Sequence, residues 1–128
     1  MEFKMKESGF YSEFPYGRLD ISSDENFGFR PYHLLTSSIA VCSGGVLEKI
    51  LRKMRFELED ISINADVERS EEAPQPIRKV KLHFQIKGKN MSEAKVKKAF
   101  GLVDKNCSMV QSVKGAIEVE KTYELIEA

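Results

Sequence analysis

The residues of this chain best suited to chemistry are its two cysteines, Cys42 and Cys107. A cysteine attacks an oxidant or a disulfide as its thiolate, and a free thiol with a pKa of about 8.5 is mostly protonated at neutral pH. A nearby positive charge or a helix amino terminus lowers that pKa. Redox chemistry at either sulfur therefore depends on the groups that surround it.

Cys42 falls within a stretch of helical period, several turns from its start, where a helix dipole has little effect. A thiolate at this position needs a cation that the fold brings to it, and the candidates are Arg18, Arg30 and a protonated His33. The same cysteine also fits an apolar stripe of the helix. A small buried hydrophobic residue with no reactivity is the alternative interpretation.

Cys107 has a different local context. It lies near the predicted start of a short helix at Asn106 and close to Lys105. Both features lower a thiol pKa, so local sequence favours Cys107 as the easier thiolate. A buried structural role is again the alternative.

The two histidines add little evidence for a metal site. Neither cysteine belongs to a C-x-x-C pair, and only His33 and His83 could join them, so we expect no metal and no bound cofactor. His33 is either a packed histidine with one hydrogen bond or a site residue that acts as thiolate partner or proton carrier. Tyr32 is predicted to pack, and His83 to lie on a solvated strand face.

Charge and composition exclude several classes of partner. Lysine plus arginine and aspartate plus glutamate both total 20, so the net charge is zero and nothing draws the chain to nucleic acid or anionic lipid. Residues 1–7 alternate charged and apolar side chains, unlike a secretory signal. The least charged stretch, residues 31–47, is shorter than the ~20 apolar residues of a membrane span. We expect a cytoplasmic protein, whose thiols stay reduced.

The periodicity predicts one α+β domain over residues 1–128. Its segments are an amino-terminal hairpin (about 1–27), a central helix (31–54), a long hairpin (58–88), further helices (92–114) and a final strand (116–126). The final strand should join the antiparallel sheet of the long hairpin, although Lys121 interrupts its apolar row. A helix beginning near Ser92 should be capped through Asn90 and Glu93.

The central helix is the predicted core element, with Pro31 at its first position. Its first half has no formally charged side chain, and its predicted buried stripe is Leu35, Ile39, Cys42, Val46 and Ile50. Gly44 and Gly45 each cost about 1 kcal/mol of helix propensity relative to alanine. They predict close approach by another backbone or by a ligand.

Several of these segments resemble the OsmC/Ohr family. The segment Arg30-Pro31-Tyr32-His33-Leu34-Leu35, followed by Ser38 to Ser43, resembles that family's proline-led central helix and its internal cysteine. Asn106-Cys107-Ser108 and the strand after Gly115 resemble the second-cysteine motif. The hairpin-loop residues 71–74 point to the YhfA-like branch. The resemblance covers almost the whole chain, and the cysteine motifs are its most specific part.

The resemblance implies an antiparallel sheet wrapped around a long buried central helix, in an intertwined homodimer. It also implies thiol-dependent reduction of small apolar hydroperoxides, with Cys42 as the peroxidatic and Cys107 as the resolving cysteine, and an external dithiol as reductant. The family's better understood branches place a carboxylate after the proline and pair it with an arginine of the first hairpin.

Here Tyr32 and His33 occupy the positions after Pro31, and neither is a carboxylate. Arg18 is a positional candidate for the arginine. If His33 faced Cys42, its protonated form could stabilise the thiolate in place of that acid–arginine pair. The alternative function is a binding or sensing domain that keeps the scaffold without turnover and holds an apolar or sulfur-containing small molecule.

The first testable prediction is the homodimer. A central helix without charge in its first half, beside a hairpin too short to be stable alone, leaves apolar surface for a second copy to cover. Sedimentation at micromolar concentration should give about twice the chain mass of 14.6 kDa. A single species at the chain mass would contradict it.

Overall fold

The computed structural model describes residues 1–128, which form two compact units, Met1–Ser37 and Ser38–Ala128. The elements alternate strands and helices along the chain. In order they are β1 (Lys4–Met5), β2 (Phe10–Phe14), β3 (Gly17–Ile21), α1 (Pro31–Lys53), β4 (Glu57–Arg69), β5 (Ile77–Lys89), α2 (Glu93–Gly101), α3 (Val103–Asn106), α4 (Ser108–Val113) and β6 (Glu118–Glu127). The mixed α+β class predicted from the sequence is confirmed.

The first unit contains a small sheet rather than a single hairpin. Its strand order is β1-β2-β3, and β2 pairs antiparallel with both neighbours. Gly9 is needed between β1 and β2, because its φ is +87° and a Cβ there would lie 2.1 Å from the carbonyl oxygen of Ile21. The sequence predicted a hairpin over about residues 1–27 and missed β2, which lies between β1 and β3 and pairs with both.

The second unit is built on the long hairpin of β4 and β5. Its antiparallel register runs from Glu57 opposite Lys89 to Arg69 opposite Ile77, as the alternation of apolar and polar residues predicted. One face of β5 is fully buried, at Val80, Leu82, Phe84 and Ile86. That face forms the floor of the hydrophobic core.

The final strand differs from the prediction. β6 pairs with β5 in parallel, with Lys79 opposite Glu118 and Gly88 opposite Glu127, so the sheet is mixed rather than antiparallel. The reason is the connection, because parallel neighbours need a crossover of a dozen or more residues, and α2, α3 and α4 supply one. The alternation of apolar and polar residues does not indicate whether a strand pairs parallel or antiparallel with its neighbour.

Within the second unit, the buried stripe of α1 is rotated by about one residue from the predicted one. Its fully buried side chains are Ile39, Ser43, Leu47 and Leu51, whereas Cys42, Val46 and Ile50 pack at the edge of the core. Gly44 admits the Ile63 side chain, since a Cβ there would lie 2.6 Å from Ile63 Cδ1. The close neighbour is thus a side chain and not the predicted backbone or ligand.

By length and composition α1 could cross a membrane, with a mean hydropathy of 1.4 over its most apolar window. Core helices of soluble proteins pass the same test, and the second half of α1 carries Glu48, Lys49, Arg52 and Lys53. The complete burial of Leu47 and Leu51 is what a core helix shows.

The crossover begins with α2, whose cap is Ser92 and not the predicted Asn90. The Ser92 side chain accepts a hydrogen bond from the Lys95 amide, while Asn90 has a positive φ of 56° and donates to Glu57. The crossover ends with α4, which begins at Ser108 rather than at Asn106. Cys107 is its extended N-cap residue, and Val110 faces the core.

Lys121, which interrupts the apolar row of β6, has a structural explanation. Its side chain is only 7% exposed, and its Nζ pairs with the carboxylate of Asp104 and lies 5.8 Å from the Phe100 ring centroid. The ion pair joins β6 to α3 and allows a charge in an otherwise apolar row.

We predict that Asp104→Asn lowers the free energy of unfolding by about 1–3 kcal/mol, because it leaves the Lys121 ammonium, 7% exposed, without a countercharge that is itself 46% exposed. Lys121→Met, which removes the charge and keeps the bulk, should cost less. The control is Glu118→Gln, because the Glu118 side chain is 70% exposed and its partner Lys79 also pairs with Glu120, so stability should change by under ~0.5 kcal/mol. Urea unfolding measures all three, and equal losses for Asp104→Asn and Glu118→Gln would contradict the prediction.

Candidate functional site

The structure brings the two cysteine segments together in the second unit, with each cysteine facing the serine that follows the other. Cys42 Sγ lies 3.7 Å from Ser108 Oγ, and Ser43 Oγ lies 3.6 Å from Cys107 Sγ. The two thiols are also within hydrogen-bonding reach of each other, and both are free. Cys42 and Cys107 therefore form one site.

The two helices present their cysteines differently. The rotation of α1 buries Ser43 completely and leaves Cys42 at the edge of the core with part of its surface exposed. Cys107 is completely buried as the N-cap of α4. Cys42 is thus partly open to solvent, whereas Cys107 is enclosed by protein.

Burial by itself would raise the pKa of the Cys42 thiol, but hydrogen bonds reverse the direction. The donors are the Cys107 thiol, the backbone N–H of Met109, and the side chain and backbone N–H of Ser108, and together they lower the pKa of Cys42. The amides are free to do so because the first N–H groups of a helix have no intrahelical acceptor. The first amides of α4 thus stabilise the thiolate form of Cys42, which lies on α1.

Burial raises the pKa of the Cys107 thiol, and its hydrogen bond to Cys42 raises it further. The Val110 N–H and the Ser43 side chain offset this only in part. Local sequence had favoured Cys107 as the easier thiolate, and the structure reverses that order. The amides of Ser108 and Met109 at the start of α4 face Cys42 on α1, and only that of Val110 faces Cys107.

The other predicted site residues lie in the first unit, in two groups. Arg18 donates to Asp20 Oδ1 through Nε and Nη2, at 3.1 and 3.0 Å, and its guanidinium lies 3.9 Å from the Tyr11 ring centroid. Asp20 also binds the Lys6 ammonium at 2.9 Å. Arg18 therefore has a carboxylate partner within its own strand.

Arg30, Tyr32 and His33 form the second group. The Arg30 guanidinium carbon lies 4.9 Å from the Tyr32 ring centroid, and the Tyr32 and His33 rings are 4.2 Å apart. The Tyr32 and His33 rings are tilted by 45° to each other, so this segment is a cluster of one cation and two aromatic rings in contact. Whether His33 acts on Cys42 stays a prediction.

Sequence reasoning missed three polar residues: Ser43, Ser108 and Asp20. The signal for the serines was present, because each cysteine is followed directly by a serine, in Cys42-Ser43 and in Cys107-Ser108. Nothing in the sequence indicates that the two dipeptides pair crosswise. No group of three or more histidine, cysteine, aspartate or glutamate side chains that could hold a metal ion is found.

We predict that Cys42 reacts first with iodoacetamide, at a pH below that of a free cysteine, because its pKa is lowered while that of Cys107 is raised. The measurement is the pH dependence of alkylation at each cysteine, read by mass spectrometry in the native protein. In urea the two profiles should converge, which provides the control. Labelling of Cys107 before Cys42 in the native state would contradict this order.

Comparison with known proteins gives related chains with this architecture. The protein YhfA of Escherichia coli K12 is 29% identical over 99 residues, which cover 77% of this chain and 74% of YhfA. A hypothetical protein from Aquifex aeolicus VF5 has a TM-score of 0.88 at 26% identity, covering 99% of this chain and 95% of that one. An OsmC-like protein from Mycoplasma pneumoniae reaches 0.85 at 18% identity, over 98% and 94% of the chains.

The fold also extends to more distant solved structures. The organic hydroperoxide resistance protein OhrB of Bacillus subtilis has a TM-score of 0.64 at 16% identity, and the match covers 97% of this chain and 98% of OhrB. The family model described as OsmC-like protein matches residues 22–122, which include both cysteines and most of the structural elements. This chain belongs to the OsmC-like protein family.

Proposed function

We propose that this protein is a two-cysteine thiol peroxidase that reduces organic hydroperoxides in the cytoplasm, as a homodimer. The observation that carries the proposal is the pairing of an accessible thiol of lowered pKa with a buried thiol of raised pKa in hydrogen-bonding reach. In this mechanism the accessible thiolate attacks the hydroperoxide, and the buried second thiol then attacks the oxidised cysteine to form the disulfide. Structural relatives named for organic hydroperoxide resistance support the choice of oxidant.

In the first step the Cys42 thiolate attacks the terminal oxygen of the hydroperoxide. A sulfur–oxygen bond forms, the oxygen–oxygen bond breaks, and the alkoxide leaves and takes a proton to become the alcohol. Cys42 becomes a sulfenic acid, and the peroxide has accepted two electrons. Donors around the sulfur aid this step by raising the fraction of thiolate at neutral pH.

In the second step the Cys107 sulfur attacks the sulfenic sulfur of Cys42. A disulfide forms, and the hydroxide that leaves combines with the Cys107 proton as water. An external dithiol then reduces the disulfide by thiol exchange. Because Cys107 is completely buried, solvent oxidants reach it poorly, and it is kept for this intramolecular step.

A binding or sensing domain is the second candidate. The observation that favours it is the segment after Pro31, where the rings of Tyr32 and His33 contact each other in the place of a carboxylate. Such a protein would hold an apolar or sulfur-containing small molecule near Cys42 and would not sustain turnover of hydroperoxide.

The deciding prediction concerns turnover with dithiothreitol as reductant. The wild-type protein should consume cumene hydroperoxide faster than hydrogen peroxide, and Cys42→Ser should lose essentially all activity because a hydroxyl is no nucleophile at neutral pH. Cys107→Ser should keep the first oxidation and accumulate sulfenic acid at Cys42. Peroxide consumption and dimedone labelling measure these outcomes.

The same assay separates the two candidates. Stoichiometric oxidation of Cys42 without continued consumption of hydroperoxide would replace the peroxidase with the sensing domain. Equal consumption by wild type and Cys42→Ser would contradict the peroxidase.

A further inference from the structure

We propose that the two serines divide the reaction between them, Ser108 assisting the attack of Cys42 on the oxidant and Ser43 assisting the attack of Cys107 on the oxidised Cys42. The inference rests on the proposed two-cysteine chemistry and assigns positioning residues to its two steps. It follows from the crosswise pairing, in which Ser108 meets Cys42 and Ser43 meets Cys107.

The serines are unusual in where their hydroxyls point. A helical serine or threonine often donates to the carbonyl four residues earlier, as Thr36, Ser37 and Ser112 do, at 2.8, 2.6 and 2.7 Å. The hydroxyls of Ser43 and Ser108 instead face sulfur. Ser43 lies within α1 and could also have donated to the carbonyl four residues earlier. Its contact with Cys107 therefore results from the packing of the two cysteine segments.

Ser108 acts on the first step. Its hydroxyl lies against a sulfur that is partly exposed and carries negative charge when it attacks. A hydroxyl that donates to a thiolate stabilises the charged form, as the nearby amides of Ser108 and Met109 do. Without the hydroxyl, less Cys42 thiolate is present at neutral pH, and the first step is slower.

Ser43 acts on the second step. Cys107 and Ser43 are both completely buried, so water does not solvate the charge that develops on Cys107 when it attacks. In the resting site the Cys107 thiol is a donor to Cys42. Once Cys42 is a sulfenic acid, Cys107 must release its proton, and the Ser43 hydroxyl is the side-chain donor that can stabilise the resulting thiolate.

Each thiol changes the pKa of the other thiol. When one sulfur is negatively charged the other stays protonated, and the two serines therefore have separate effects. During the attack on the oxidant the negative charge is on Cys42, beside Ser108. During resolution it sits on Cys107, beside Ser43. Each hydroxyl thus meets the charged sulfur in one step only.

The test uses Ser43→Ala and Ser108→Ala in the full chain, with Ser112→Ala as the matched control. Ser112 lies on α4 like Ser108, but its hydroxyl is bonded to the helix backbone. Each step is measured alone: oxidation of Cys42 by stopped-flow with cumene hydroperoxide, and closure of the disulfide by quenched mass spectrometry. Circular dichroism checks that each variant is folded.

We expect Ser108→Ala to slow Cys42 oxidation by about threefold to tenfold and to move its iodoacetamide profile to higher pH, since one pKa unit changes the thiolate fraction about tenfold. Disulfide closure should be unchanged. Ser108→Thr should restore the wild-type profile, because it keeps the hydroxyl at an exposed position.

We expect Ser43→Ala to leave Cys42 oxidation within about twofold of wild type, while disulfide closure slows by about threefold to tenfold, the range that follows from up to one pKa unit at Cys107. Dimedone labelling of Cys42 sulfenic acid should rise correspondingly. Ser112→Ala should match wild type in both steps. Equal effects of the two serine variants on both steps, or no effect of either, would overturn the division.

A failure of the peroxidase proposal would be recognisable separately. If wild-type Cys42 does not react with hydroperoxide, diamide replaces it as oxidant, because diamide adds to the Cys42 thiolate and is displaced as the reduced hydrazine when Cys107 closes the disulfide. The iodoacetamide profile then tests Ser108, and diamide-driven closure tests Ser43. An unchanged iodoacetamide profile in Ser108→Ala, together with unchanged diamide-driven disulfide closure in Ser43→Ala, would overturn the division. This outcome does not depend on whether the protein reduces peroxide.

Discussion

The crosswise contact between α1 and the Cys107-Ser108 turn is the interaction on which the site depends. It consists of two sulfur–hydroxyl contacts, at 3.7 and 3.6 Å. Because Ser43 and Cys107 are completely buried, neither polar group has water as an alternative partner. The contact therefore satisfies buried polar atoms and at the same time sets the different chemistry of the two thiols.

The rest of the second unit serves to bring this contact about. A parallel β6 requires a long crossover from β5, and the crossover consists of α2, α3 and α4. The Lys121–Asp104 pair ties β6 to α3, immediately before the Cys107 turn. On the other side, Leu47 and Leu51 anchor α1 to the core formed by β5. The parallel direction of β6, the Lys121–Asp104 ion pair and the buried stripe of α1 together fix the positions of the two sulfur atoms.

The rotation of α1 shows how packing selects a role for each residue. A helix turns about 100° per residue, so moving the buried stripe by one position exchanges Cys42 for Ser43 at its centre. Gly44 makes this rotation favourable, because the Ile63 side chain occupies the space where a Cβ would lie. Cys42 is consequently accessible and Ser43 enclosed, whereas hydropathy places the more apolar cysteine inside and the serine outside.

The sequence by itself determined the mixed α+β class, the positions of most helices and strands, and the resemblance to a family. It also identified the two cysteines as the candidate site. These follow from short-range patterns: alternation in β4 and β5, proline at the start of α1, and motifs around Cys42 and Cys107. The direction of β6, the burial of Lys121 beside Asp104 and the order of the thiol pKa values required the tertiary structure. The physical reason is that each of these depends on groups distant in sequence: the amides that lower the pKa of Cys42 belong to residues 108 and 109 and are invisible to any local pattern around position 42.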